Sequence, residues 1–283
     1  MTIQQQKTIN TSVETLRSSD ILVPNVTKSK PIPFNKPPKY HWVPDRHDGR
    51  DKLYPVSNKL SNTVVDLRNY CTEIEDQGNL GSCTGNAIAG AIELIDKRTG
   101  KQRDISRLFI YYYERLYEGT VNYDSGAYIR DGIKSVYTYG APTENLWPYD
   151  ITKFRTKPTK NAVDDAAKRK VKLYQRVLNH EGCLDAIANG NPVIIGFNVY
   201  ESFETNIVAD IGMMPYPDVH HERLLGGHCV LLVGYSKTTK CYIARNSWGT
   251  EWGDNGYFYM PFQVIQNTSM SSDFWIIKTV NNP

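Results

Sequence analysis

Four residues of this chain, Gln77, Cys83, His228 and Asn246, are of the types that together carry out acyl chemistry at a thiol. The histidine follows the cysteine by 145 positions and the asparagine by 163. That spacing is near the roughly 130–150 residues expected when a thiol on a helix meets a His and an Asn from a separate β region. The reaction they suit is attack of a thiolate on an acyl carbon, followed by hydrolysis of the thioester.

Each residue type has a reason to be present. Cys83 precedes Ala87, Ile88, Ala91, Ile92, Leu94 and Ile95, whose 3.6-residue period predicts a buried helix stopped near Thr99-Gly100. A thiol at the start of that helix meets free N–H groups and the positive end of the helix dipole, and a paired imidazole lowers its pKa further. His228 heads the apolar run His-Cys-Val-Leu-Leu-Val and is placed to protonate a leaving amine and later to activate water. Asn246 is suited to orient the imidazole without adding charge, and Trp248 to shield that bond from water. Gln77 has an amide N–H to offer a developing oxyanion beside the Cys83 backbone N–H. Gly81, Gly226 and Gly227 allow close backbone approach around these groups. The chain reads as a cysteine peptidase.

The elements needed to hold these residues are legible. Further helices are expected over Ile105 to Tyr117, Tyr128 to Tyr139 and Gly182 to Ala188. From residue 171 short β-rich runs take over: Val171–Val177, Val193–Tyr200, His228–Tyr235, Cys241–Arg245, Gly256–Met260 and Phe274–Thr279. A helical half before a sheet half predicts an α+β fold of two lobes with a cleft between them. The expected division is an N-terminal segment over 1–60, a left lobe over about 61–165 and a right lobe over about 166–283.

Residues 1–60 hold seven of the fifteen prolines, and ten Lys/Arg against five Asp/Glu, while the rest carries 23 against 25. A proline-rich stretch runs extended over a surface, with a short helix possible near Ser12–Leu16 and with Trp42, Val43 and Tyr54 as anchors. The charge asymmetry predicts a basic leader drawn to a slightly acidic body and released by acid. The expected role of this leader is a propeptide acting as an intramolecular inhibitor; a permanent strap or a tail for a partner are the alternatives.

The blocks Gln77…Gly81-Ser-Cys83, Gly227-His228-Cys-Val-Leu-Leu-Val-Gly-Tyr235 and Asn246-Ser-Trp-Gly-Thr-Glu-Trp-Gly-Asp-Asn-Gly-Tyr257 resemble the papain family of cysteine proteases over roughly 63–280. Leu-Gly-Ser-Cys-Thr-Gly-Asn-Ala, with the leader Trp42-Val-Pro-Asp45…Arg50-Asp51, is similar to the xylellain branch and to cathepsin B-like proteases of giant viruses. The resemblance implies a papain-like two-lobed fold, a helical left lobe and an antiparallel β right lobe. It also implies that Ser125 and Gly126, with Gly227 and Trp248, line a cleft for extended peptides. The family's usual cysteine three residues before the nucleophile is Leu80 here, and its following aromatic is Thr84. The left-lobe disulfide therefore has no place to form, and Cys71, Cys183, Cys229 and Cys241 are expected as buried free thiols. By the same resemblance, the base of the main specificity pocket lies around Asp273-Phe274-Trp275.

No cofactor or metal is expected: His180 and Cys183 offer two ligands with no second pair, and His220-His221 reads as a solvated loop. Asp164-Asp165 reads as solvated charge. A net charge of +3 argues for neither nucleic acid nor membrane, and no apolar run has the length of a membrane span. The expected partners are protein or peptide substrates, and the expected state is a monomer. The first ten residues show no secretory signal; compartment is open, with host cell or virion the choices if the source is viral. A transferase, in which an amine intercepts the thioester, and a non-catalytic binder on the same fold are the rival readings.

Overall fold

The computed structural model describes residues 40–57 and 62–280. The chain enters as a short strand, β1 (Trp42–Val43), and after the break resumes with β2 (Val64–Asp66). The helical half follows. Helix α1 (Cys83–Arg98) is buried nearly all round and carries Lys97 and Arg98 in its last turn, where cations suit the dipole. Helix α2 (Arg107–Glu118) starts where the Ser106 hydroxyl accepts the Phe109 N–H and stops at Gly119, whose φ of 72° is the left-handed value that ends helices. Strand β3 (Ala127–Tyr128) leads directly into α3 (Ile129–Thr138), and the short α4 (Lys160–Ala166) closes this half.

The second half is a sheet with short helices on its edges: β4 (Val171–Val177), α5 (His180–Ala188), β5 (Val193–Tyr200), α6 (Asn206–Ile211), β6 (Leu224–Ser236), β7 (Cys241–Arg245), β8 (Tyr257–Pro261), α7 (Phe262–Gln266) and β9 (Ser271–Val280). The strand order is β4-β9-β5-β6-β7-β8, with β2 also paired to β6, and the described pairings within this sheet are all antiparallel. The result is the expected α+β arrangement with an antiparallel sheet.

Strand β6 runs four residues further toward its N-terminus than its apolar run suggested, because Leu224 to Gly227 pair with Tyr200 to Asn198 of β5. His228 therefore sits inside a strand, fixed on both sides, instead of at its start. One apolar core joins α1 to this sheet through Ile88, Ala91, Ile92, Leu231, Val233 and Trp275. A second, smaller core of Leu108, Phe109, Tyr111, Tyr112 and Tyr113 packs under Trp147 and accounts for the tyrosine-rich stretch.

Three expectations need correction or placing. Asp165 is not solvated: it is 8% exposed, bonded by Arg169 and by the Thr143 backbone N–H. All five cysteines are free, but Cys241 is only half-buried, and it pairs with Ser236, seven strand positions from Cys229. The short helix near Ser12–Leu16 lies outside the described residues.

Candidate active site

The four candidate catalytic residues come together at the seam between α1 and β6. Cys83 is the first residue of α1, and its sulfur accepts backbone N–H groups from Thr84, from Cys229 on β6 and from His41 on the leader. The bond from Cys229 sets the thiol against the strand that carries His228. The His228 Nε2 lies 2.8 Å from Asn246 Oδ1, and since a carbonyl oxygen only accepts, Nε2 carries the proton. Nδ1 is then the acceptor, and among the described residues it has no partner. A neutral imidazole with a free lone pair is suited to take up a proton.

Asn246 is itself held. Its Oδ1 also accepts the Ser247 N–H at 2.9 Å, and its backbone N–H bonds Gly256 O at 3.0 Å. Trp248 stacks on the imidazole at 4.9 Å and 27°, and Trp252, Phe203, Phe197 and Phe258 pack behind it. This aromatic shell excludes water from the His–Asn bond over a wider front than Trp248 alone.

Gln77 is fully buried. Its amide donates one N–H to Leu80 O at 2.9 Å and its Oε1 accepts the Ser247 hydroxyl at 2.6 Å, which fixes the plane of the amide. Among the described residues the second amide N–H has no partner. Ser247 was not singled out from sequence; its place between Asn246 and Trp248 was the available signal.

Thr84, the departure from the family's aromatic, donates its hydroxyl to Glu114 Oε1 at 2.5 Å inside the protein. Glu114 is completely buried, and its Oε2 fits beside Gly132, where a Cβ would approach to 2.6 Å. Burial holds the Glu114 carboxyl well above its usual range, hence neutral.

The cleft is occupied by the chain's own leader. β1 pairs parallel with β3, Trp42 opposite Ala127, and His41 bridges to Gly227 of β6, so the segment is bonded on both sides. Gly126, at φ 68°, lies against the His41 backbone, and Gly227 against the Trp42 carbonyl, where a Cβ would come to 2.5 Å. The Trp42 indole covers Gly196 and is 5% exposed. Ser125 is set differently: its hydroxyl bonds Thr120 and the Gly126 carbonyl, within its own loop.

Under this cover burial disfavours charge on both Cys83 and His228. Burial pushes the Cys83 thiol up to about 12, against the N–H groups that favour the thiolate. Burial likewise takes His228 down to about 4.

Beyond the cleft the described part of the leader, residues 40–57, is fastened to the body by its acids. Residues 40–57 hold three Lys/Arg and three Asp/Glu; the basic excess of the leader lies outside the described residues. Asp45 accepts from Trp275 Nε1 at 2.9 Å, Arg130 N at 3.1 Å and Arg176 at 3.1 Å, and its N–H donates to Asp273 at 2.7 Å. Asp51 bridges Arg130 on α3 and Arg176 on β4 at 2.8 and 3.0 Å, tying the helical half to the sheet half. Further on, Tyr54 and Ser57 both donate to Asp185 of α5. Asp273, expected near a specificity pocket, thus serves as a leader anchor in this form. Sequence reading missed Arg130 and Arg176, for which isolated arginines give no signal.

Among the described residues one carboxylate group, Glu75, Glu93 and Asp104, is close enough to share a cation. It lies outside the cleft, and Glu75 is already paired with Arg107 at 2.9 Å. No described helix is long and apolar enough to cross a membrane.

A family model for papain family cysteine protease matches residues 61–277. The chain is 40% identical over 245 residues to an uncharacterised peptidase C1-like protein of Acanthamoeba polyphaga mimivirus, covering 81% of this chain and 78% of that one. Cathepsin K of Gallus gallus is 29% identical over 223 residues, 74% of this chain and 61% of its own length. Among solved structures, xylellain, a cysteine protease from Xylella fastidiosa, aligns with a TM-score of 0.78 at 38% identity, over 86% of this chain and 96% of that chain. A digestive procathepsin L 3 of Tenebrio molitor shares the fold, with a TM-score of 0.68 at 20% identity over 81% and 74%. The chain belongs to the papain family of cysteine proteases. It is a papain-like cysteine peptidase, acting on protein substrates.

Proposed function

We propose that the chain is a latent endopeptidase in which Cys83 attacks the peptide carbonyl and His228 supplies and removes protons. Asn246 fixes the imidazole, and the free Gln77 amide N–H with the Cys83 backbone N–H receives the oxyanion. Collapse of the tetrahedral species transfers the His228 proton to the leaving amine, and a water activated by His228 releases the acid from the thioester.

The observation that carries the latency is the leader strand bonded across the cleft, with the His41 N–H on the Cys83 sulfur. Its direction makes it a poor substrate. The leaving amine must sit by His228, so a substrate runs from the Gly126 side toward Trp248. The leader runs the other way, with Tyr40 against Trp248 and Trp42 over Gly196. Its carbonyl and amide are therefore exchanged relative to what the proton donor and oxyanion donors can use.

The test is the full chain with a site-specific protease sequence inserted between Asn58 and Ser61, folded intact and then cut. Cutting is expected to raise peptide hydrolysis strongly, and Cys83→Ala to abolish it in both forms. Equal activity before and after release of the leader refutes latency; activity surviving Cys83→Ala refutes the nucleophile.

A further inference from the structure

Resting on that reading, we infer that Glu204 is a specificity-determining residue, selecting tyrosine as the first residue on the leaving-group side of the cleaved bond. The residue that carries the leaving amine has to lie beside His228, because that imidazole delivers the proton. In the resting chain this position is filled by Tyr40. Its ring meets the His228 and Trp248 rings edge to face, with centroids 6.1 and 6.0 Å away. Gly226, at φ 150°, opens the floor: a Cβ there would stand 2.6 Å from the Tyr40 Cβ. At the far end the Tyr40 hydroxyl donates to Glu204 Oε1 at 2.6 Å.

The site is built without the leader's help. Glu204 ends a short 3-10 helix, Glu201–Glu204, whose Phe203 is 2% exposed and packed on Phe197, Trp248, Trp252 and Phe258. The carboxylate is thus held at a fixed reach from the imidazole although its own side chain is exposed. Two aromatic walls, a glycine floor and an acceptor one ring-length from the backbone match tyrosine. Phenylalanine fills the walls but leaves the carboxylate facing a ring edge. Arginine reaches beyond the tyrosine hydroxyl, and lysine, of similar reach, has no flat ring for the aromatic walls.

The experiment compares peptides that differ only in Tyr or Phe at this position, using the full chain folded intact and then cut between Asn58 and Ser61. A hydroxyl-to-carboxylate bond at a partly exposed site predicts kcat/KM about fivefold higher for Tyr. Glu204→Ala is expected to bring the ratio to about one by lowering kcat/KM for the Tyr peptide. Glu204→Gln, which keeps a carbonyl acceptor in the same place, is expected to retain part of the preference and serves if the alanine variant folds poorly. A ratio near one in the unsubstituted enzyme, a ratio that survives Glu204→Ala, or a stronger preference for Lys or Arg overturns the inference. Absence of Cys83-dependent cleavage of any peptide overturns the peptidase reading instead.

Discussion

Removing the indole that plugs the cleft offers the most direct measure of the cover. Trp42 is 5% exposed, lies over Gly196 and Gly227, and packs with the core that joins α1 to the sheet. Truncating a buried tryptophan to alanine costs about 3–5 kcal/mol. The native side chain is not ideal, since its Nε1 is buried with no partner among the described residues, an offset of about 1–2 kcal/mol. The net loss for Trp42→Ala is then about 3 kcal/mol, and it falls on the docked leader alone, because the released segment has nothing to lose.

Cys83 is fully buried, so a thiol reagent reaches it only when the leader lifts. Iodoacetamide labelling of Cys83 in the full chain therefore reports the opening equilibrium, and about 3 kcal/mol corresponds to roughly a 150-fold faster rate. Trp42→Phe, which keeps most of the apolar area and removes the unpaired N–H, is expected to stay within about fivefold of the parent chain. Val264→Ala, in the core of α7 and away from the leader's anchors, controls for general destabilisation: it should lower the melting temperature and leave labelling nearly unchanged. A folded Trp42→Ala chain that labels within threefold of the parent would refute the reasoning, as would equal acceleration by Val264→Ala.

Two further tests turn on pH. Burial, and then the neighbouring Asp273 carboxylate, raise Asp45 to about 6 from the ordinary value near 3.9, so docking takes up a proton between those values. Asp273 is raised by burial as well, and docking is thus strongest below that window and weakens as pH rises through about 6, the reverse of release by acid. The only opposing carboxylate among the leader's anchors is Asp185, which burial pushes up but Ser57 and Tyr54 hold below its usual range, so it loosens the far end only in stronger acid. The ratio of Cys83 labelling in Asp45→Asn to that in the parent cancels the thiol's own titration; it should change between pH 4 and 7, and a flat ratio would exclude the linkage. Glu114, held neutral by burial, favours the folded state at low pH and loses that contribution as pH rises above the unfolded carboxylate range. Glu114→Gln should therefore flatten the fall in denaturation midpoint between pH 5 and 8, and parallel slopes for the two chains would contradict a neutral carboxyl.

The parts that sequence made legible are those where one residue type has few alternatives. The period of Ala87 to Ile95 placed Cys83 at a helix start, and the β-rich runs after residue 171 gave the sheet, because both signals are local. His228, Asn246 and Gln77 were readable from their spacing and flanking glycines. What was not readable depends on pairing between distant segments. The N-terminal extension of β6 exists only because β5 accepts it, and Arg130, Arg176 and Asp45 look like ordinary surface charge until α3, β4 and the leader are brought together. Summed charge is a poor guide for the same reason: a count over residues 1–60 does not reveal which charges make contact, and within the described residues 40–57 the ion pairs to the body are made by Asp45 and Asp51.

In the proposed latent form, silencing and catalysis share one physical cause. The same dry enclosure that the aromatic shell gives the His–Asn bond becomes, once Tyr40 to Val43 close it, dry enough to disfavour charge on Cys83 and His228. On that proposal neither has to be displaced to be silenced, since burial raises the thiol and lowers the imidazole. Docking of the leader and formation of the thiolate–imidazolium pair are therefore mutually opposed, and by linkage each weakens the other by the same factor. Any substitution that stabilises the ion pair in the open enzyme should also loosen the leader, which makes labelling rate and leader affinity two readings of a single equilibrium.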